Sequence, residues 1–459
     1  MFQNTFNKIK EKPFKFSNGF FRFLVLCLIV IAAGVRIWLY GDPNLSIAGN
    51  DTISYVESSH VPLFSSEMMT GRRLLSTNLI YKVLEPKDGY QILVNGSLET
   101  TRRVFQPGFN RIVILQLILS IMGWGFLAFT VSENLKAPSM KVLSTATILL
   151  FAFTPQMADW DSILMSESLT FSLFALLFAL LVKIVFTSYK DPNARVYPYL
   201  VLWAATFFLW TFLRDTNLFA SLVTIGMVAI LLFSAAYRKS RYLYGILTFV
   251  TVVFIIGLFT SGNSTRSLVQ IINIYHDDLL PSPARVATLT ELGMPDPASA
   301  EYPAWFQENA TKTFVKFILI HPGYAVTKIM RDFPGAFTEI KQTYFNAREH
   351  TQVRNFLMNI GDALHPENTT PFLLDIVLLL GLILSAVKNA NGVSRPWAWL
   401  GAWLFLTASL TFIPTILGDT WALNRHALFS TMIYRLFMWL FVIIIMDVTL
   451  EKPPQPQII

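Results

Sequence analysis

Residues 158–190, ADWDSILMSESLTFSLFALLFALLVKIVFTSYK, open with three acids, Asp159, Asp161 and Glu167, pass through an apolar run, and end among Lys183 and Lys190. A run of this length crosses a ~30 Å hydrocarbon layer as one helix, because about 20 residues suffice. Its two ends differ in charge, and that difference orients it. Lysine and arginine collect on the cytoplasmic side of membrane proteins, so the Lys190 end is expected inside and the three acids outside.

The rest of the chain extends this pattern. Of its 459 residues, 53% are hydrophobic and only 14% charged, which places it outside the soluble globular class. Spans are expected near residues 20–40, 111–131, 140–157, 163–186, 196–213, 217–236, 242–261, 371–388, 396–415 and 427–448. With a cytoplasmic N-terminus, every inner connection is basic: Lys136 and Lys141, then Lys183, Lys190 and Arg195, then Arg238, Lys239 and Arg241, then Lys388 and Arg395. The short outer connections, near 156–162, 214–216 and 416–425, hold only Arg214 and Arg425. Both termini are then cytoplasmic, and a multi-pass place in a bacterial cytoplasmic membrane is expected. The net charge of +7 is spent on this orientation and calls for no nucleic acid.

The fold expected is all-α and polytopic, with about ten transmembrane helices. Two long outer segments, 41–110 and 262–370, carry structure of their own, dividing the chain into an N-terminal module of residues 1–261, the 262–370 region and C-terminal helices in 371–459. In the first segment, Arg72 to Leu84 reads as an amphipathic stretch able to lie along the interface. In the second, His321-Pro322 should break a helix running from Phe314 to Met330. Lys8, Lys10, Lys12 and Lys15 precede an apolar run longer than the core of a secretory signal, so the first span is read as retained. A single cysteine, Cys27, excludes an intramolecular disulfide and a cysteine-rich metal site. The glycosylation triplets at Asn50, Asn95, Asn263, Asn309 and Asn368 are of a kind common by chance, and neither an internal repeat nor a phosphate-binding G-x-x-x-x-G-K-[ST] loop is present.

The unusual polar residues gather at the outer ends of the spans. Asp51, in Gly49-Asn50-Asp51-Thr52, suits a helix N-cap, and capping alone explains it locally. A carboxylate held just above the bilayer and facing a cavity is also placed to take a proton from an attacking hydroxyl, and Tyr55 follows it on the same stretch as a candidate substrate contact. Glu167 falls about one turn inside its apolar run, where a charge costs up to about 2.5–3.5 kcal/mol at mid-membrane. It should therefore face a cavity or a partner, although an interhelical hydrogen bond to Ser or Thr would serve.

Arg214, Asp215 and Arg266 close another outer junction, and Asp419, Arg425, His426 and Arg435 cluster around the last. Guanidinium forks match phosphate oxygens, while an interfacial anchor or a pair with Asp215 or Glu167 is the plain reading of Arg214. His426 could shuttle a proton, although a lone histidine is more often structural. Asp159 and Asp161 join the substrate-binding candidates. His276-Asp277-Asp278 would suit Mg2+ or Mn2+ by ligand type, a loop turn being the plainer account; no metal-ligand set is otherwise indicated, and no cofactor is certain.

This layout resembles the GT-C class of integral membrane glycosyltransferases, which includes protein O-mannosyltransferases and lipid A aminoarabinose transferases. The resemblance is carried by Asn50-Asp51 after the first span, Met165-Ser166-Glu167-Ser168-Leu169 at the mouth of a middle span, the long 262–370 segment, and Asp419 to His426 before a late span. Many members carry paired acids where this chain has Asn50-Asp51. The resemblance implies transfer of a sugar from a polyprenyl-phosphate donor to a glycan, lipid or protein acceptor on the outer face, usually with inversion, with Asp51 as base and arginines on the phosphate. Membrane lipids are the remaining expected partners. Two other classes stay open: a transporter or flippase of a lipid-linked saccharide, which should show polar residues through mid-membrane, and a non-catalytic assembly factor.

Overall fold

The structure is a computed structural model that describes residues 18–94, 103–191, 194–264, 266–340, 350–388 and 392–449. Lys8, Lys10, Lys12, Lys15 and Asn95 lie outside the described residues. The chain is an all-α polytopic membrane protein. Helix α1 (Asn18–Tyr40) leads into a segment made of β1 (Leu45–Ser46), α2 (Thr52–Ser59), α3 (Glu67–Thr70), α4 (Leu75–Leu84) and β2 (Val104–Phe105), in which β1 and β2 pair antiparallel. The bundle continues with α5 (Asn110–Asn134), α6 (Pro138–Phe153), the short α7 (Pro155–Ala158), α8 (Glu167–Lys190), α9 (Tyr197–Thr211), α10 (Phe219–Leu232) and α11 (Arg241–Gly262). A second irregular segment holds α12 (Leu268–Ile274), α13 (Pro283–Glu291), α14 (Tyr302–Ile320), α15 (Pro322–Asp332) and α16 (Thr351–Leu364). It is followed by α17 (Thr370–Lys388), α18 (Ser394–Gly418), the single turn α19 (Leu423–His426) and α20 (Leu428–Thr449).

Each of the ten expected spans contains a helix, but eight among the described residues are long and apolar enough to cross a membrane: α1, α5, α8, α10 with the turn before it, α11, α17, α18 and α20. The other two are shorter, with 16 residues in α6 and 15 in α9. At 1.5 Å per residue these reach roughly 24 and 22 Å. Helix α6 stops where Pro155 forces Thr154 into extended backbone. Helices α14 and α15 meet at His321-Pro322, with Pro322 opening α15 where its missing N–H costs nothing.

Helices α8 and α20 form the centre of the bundle, mostly buried along their spans, while α1 and α17 leave most of theirs exposed. Helix α5 packs closely on α8 because Gly123 carries no side chain: a Cβ there would lie 2.4 Å from the Ser172 carbonyl oxygen. Buried polar contacts fix the register between helices, as where Trp403 Nε1 on α18 donates to Thr224 Oγ1 on α10 at 3.0 Å. Asp447 of α20 accepts from the backbone N–H groups of Lys136 and Ala137 and so caps the start of α6 from across the bundle.

One departure from the sequence expectation shapes the site. Residues 163–166 are not helical. Ile163 forms a parallel bridge with Ile47, supported by Ile47 N to Ser162 O at 2.9 Å and Leu164 N to Ile47 O at 3.0 Å. From α5, Gln116 Nε2 donates to the carbonyls of Ile163 and Met165. Glu167 is consequently the first residue of α8 and not one turn inside it, because the backbone before it pairs with the segment that follows α1.

Candidate functional site

The same bridge positions Asp51. Thr52 Oγ1 donates to Leu164 O at 3.1 Å and accepts from Gly49 N at 2.9 Å, pinning the turn before α2 against the mouth of α8. Asp51 occupies the N-cap position of α2, yet its side chain makes no capping hydrogen bond. Its carboxylate turns to two arginines instead: Oδ2 accepts from Arg425 Nη2 at 2.8 Å, and Oδ1 from Arg73 Nη2 at 3.2 Å. Burial pushes the Asp51 carboxyl up, but the Arg425 and Arg73 charges outweigh it and hold it below the ordinary carboxylate value.

Arg73 was not legible as a site residue. It is the second residue of the stretch read as amphipathic, and its guanidinium lies 4.1 Å over the Tyr55 ring while also donating to the Tyr55 hydroxyl at 3.3 Å. Tyr55 stacks in turn on Tyr81 of α4, with centroids 5.3 Å apart. The adjacent double arginine, Arg72-Arg73, was the only sequence signal.

On the other side, Arg425 Nε stands 3.9 Å from Glu167 Oε1, so one guanidinium faces both Asp51 and Glu167. His426 follows directly, with Nδ1 2.6 Å from Asp419 Oδ2. Asp419 Oδ1 also accepts from the backbone N–H groups of Thr420 and Trp421 and from Asn273 Nδ2. Burial pushes the Asp419 carboxyl up, yet His426 and these N–H groups hold it below its ordinary value. A carboxylate so held favours His426 with its proton on Nδ1, leaving Nε2 as an acceptor 3.5 Å from Arg425 Nη2. Arg214 Nη2 donates to the His426 carbonyl at 3.3 Å. The turn that presents Arg425 and His426 starts at Ala422, whose φ of 46° lies in the left-handed region.

Two donors in this cluster have no hydrogen-bond partner among the described residues: the buried Arg214 Nη1 and Arg425 Nε. Buried guanidinium N–H groups without acceptors are costly, and an anion is the kind of group that would satisfy them.

The remaining candidates fall elsewhere. Arg266 makes a two-pronged ion pair with Asp215, at 3.0 and 3.1 Å, and donates to the carbonyls of Met69 and Gly71, bracing α3. Arg435 is fully buried and donates to the carbonyls of Phe337 and Pro366. It anchors the chain before α17 and does not join Arg425 in one groove. Asp161 pairs with Arg36 of α1 and accepts from Ser168 Oγ at 2.6 Å. Asp159 pairs with Arg354 of α16 at 2.6 Å. Burial is the main influence on both acids, pushing Asp159 up to about 7 and Asp161 upward.

Glu167 and Arg435 thus both take partners at the Asp51 end of the bundle. Asp375, unremarked in the sequence although it interrupts the apolar run of α17, is fully buried, with neither oxygen hydrogen-bonded among the described residues.

The donor set does not fit a divalent cation. Among the described residues no three His, Cys, Asp or Glu side chains converge on a common point. Asp277 accepts from Thr420 Oγ1 and Trp421 Nε1, while Asp278 is held by Arg285, Arg331 and Tyr324. Asp51 and Glu167 both face the Arg425 guanidinium, which stands where a metal bridging them would sit.

No family model matches the chain, and no curated protein matches it. Among solved structures, it is similar to the oligosaccharyltransferase of Archaeoglobus fulgidus without ligand, at a TM-score of 0.46 and 12% identity over 92% of this chain and 50% of that one. A second structure of an oligosaccharyltransferase from that organism, in complex with an inhibitory peptide and a dolichol-phosphate, gives 0.43 and 11% over 93% and 51%. A third, tethered to an acceptor peptide through a disulfide bond, gives 0.42 and 11% over 93% and 50%. The chain spans about half the length of those proteins. At these scores no residue role follows from the likeness.

Proposed function

We propose that this protein is a membrane glycosyltransferase that takes a sugar from a polyprenyl-phosphate donor and passes it to an acceptor hydroxyl at the Asp51 end of the bundle, on the extracytoplasmic side. The observation that carries the reading is the Asp51–Arg425 ion pair, joining residues 374 positions apart beside guanidinium donors that lack acceptors. A lipid tail in the bilayer presents its phosphate at headgroup depth, where Arg425 and Arg214 can take its oxygens. In the displacement, the acceptor oxygen bonds to the anomeric carbon as the carbon–oxygen bond to phosphate breaks. The electron pair of that bond leaves with the phosphate, and the acceptor proton passes to Asp51 with inversion at the sugar.

The ion pair gives this scheme an internal order. Clamped between two guanidiniums, Asp51 is ionised but has little affinity for a proton. Phosphate that draws Arg425 toward itself removes the stronger of those two influences. Asp51 then becomes a better base only once the donor is seated. The Asp419–His426 pair stands beside Arg425 as the group able to pass the proton onward.

Purified protein is to be incubated with a panel of radiolabelled polyprenyl-phosphate sugars and candidate acceptors, with Asp51→Ala as the control. Consumption of one donor that is lost in Asp51→Ala is expected. Undiminished transfer by Asp51→Ala would remove Asp51 from the chemistry, and movement of intact donor across vesicles without sugar transfer would replace the reading by transport.

A further inference from the structure

At the other end of α8, roughly 35 Å from Glu167 at 1.5 Å per residue, the start of α1, the end of α5, the start of α6 and the end of α8 enclose two adjoining hollows of about 240 and 170 Å3. Both are bordered by Arg22 and Glu133. Glu133 is mostly buried and bridges Arg22 Nη2 at 3.0 Å and Lys183 Nζ at 3.2 Å. Lys183 lies two turns inside the apolar run, where an unmatched charge would be expensive, and Glu133 matches it. Lys141 and Lys190 complete the lining, and neither has an ion-pair partner among the described residues. Four cations therefore face one carboxylate, and the floor beneath them is apolar, with Phe21, Val25 and Phe129.

We propose that this hollow binds a phosphate-bearing anion, its shape and depth fitting the headgroup of an anionic phospholipid. An orientation signal alone requires only that basic residues lie on one side of the bilayer. Here they come from three helices, line two adjoining hollows that share Arg22 and Glu133, and outnumber the one carboxylate in that lining. A phosphodiester at Arg22, which borders both hollows, supplies negative charge beside Lys141 in one and Lys190 in the other, and acyl chains can leave across Val25 and Phe129 toward the exposed flank of α1. The site is separate from the Asp51 hollow and does not depend on the chemistry proposed there.

The test needs no knowledge of the substrate. Full-length protein in detergent is examined by native mass spectrometry and thermal unfolding with phosphatidylglycerol, with phosphatidylcholine of the same acyl chains, and with inorganic phosphate alone. One phosphatidylglycerol retained per chain, with a raised unfolding midpoint that phosphatidylcholine does not give, is expected. Equal protection by inorganic phosphate upholds the phosphate chemistry and makes the free ion its source. Lys141→Gln/Lys190→Gln leaves the Glu133 pairs intact and should weaken binding about thirtyfold at low salt. Arg238→Gln/Lys239→Gln removes equal charge from another connection and should not. Equal retention of the two lipids with no response to phosphate, undiminished binding by the first variant, or an equal loss in the second would overturn the proposal.

Discussion

Asp51 and Asp161 lie near the same end of the bundle, and each meets an arginine from a distant stretch of chain, 374 and 125 residues away. Asp161 and Arg36 are almost wholly enclosed and joined by Ser168 and Ser120, while Arg36 Nε and Nη1 lack an acceptor among the described residues. Asp51 keeps 39% of its side chain accessible, and the arginine it holds also faces Glu167 and retains an N–H without an acceptor. The enclosed pair ties α1 to the mouth of α8; the open one keeps its carboxylate within reach of a ligand. Burial of a charge is thus a poor guide to function in this bundle. Unused donors occur at both pairs, and the accessibility of the acid is the better guide.

That contrast can be broken by substitution. Asp51→Asn should lower transfer by about a hundredfold or more, the scale of a lost general base, while thermal unfolding of the purified protein stays close to the parent. Arg36→Ala should do the reverse, first of all to the fold. Removing one partner of a buried pair costs about 3–5 kcal/mol, read as a large fall in unfolding midpoint with little folded protein recovered. Should Asp51→Asn unfold the protein and Arg36→Ala merely slow it, the assignment of the two pairs would be inverted.

Two smaller effects sharpen the comparison. Asp419→Asn replaces a charged hydrogen bond to His426, a contact worth about 1.5–3 kcal/mol, and should slow transfer about ten- to a hundredfold. The acid limb of the pH–rate profile should move with it, which a purely structural role for Asp419 would not produce. Asp159 is pushed from 3.8 up to about 7 by burial. Its folded form binds the proton more tightly than the unfolded chain, so the contribution is complete below about 4 and declines as pH rises toward 7. Asp159→Asn should flatten that part of the stability curve measured by thermal unfolding. The smallest effect expected is none: transfer should persist in EDTA, because Arg425 stands between the two carboxylates that would have to hold a metal.

The spans were readable because apolar length and the sign of the flanking charge are local properties of a membrane chain. The likeness of Asp51, Glu167 and Arg425 was readable as far as their shared end of the bundle. Their convergence was not, since it depends on the bridge between Ile47 and Ile163, and two-residue pairings leave no periodic pattern. That bridge also moved the start of α8 to Glu167, whereas hydropathy alone carries the run back to Ile163. Arg36 and Arg354 were passed over because one lies inside an apolar run and the other in an irregular segment, with partners 125 and 195 residues away. Arg435 misled for the opposite reason. Its depth suggested a ligand, but its Nε and Nη2 are taken by the backbone carbonyls of Pro366 and Phe337.

Ala422 offers a last consequence. Its left-handed backbone would suit glycine, and the methyl group it carries costs about 1–2 kcal/mol there. Ala422→Gly should therefore give a protein that withstands heat better yet grips its donor less firmly, since the turn bearing Arg425 and His426 would wander among more shapes before each encounter. Robustness and readiness would part company at one carbon atom.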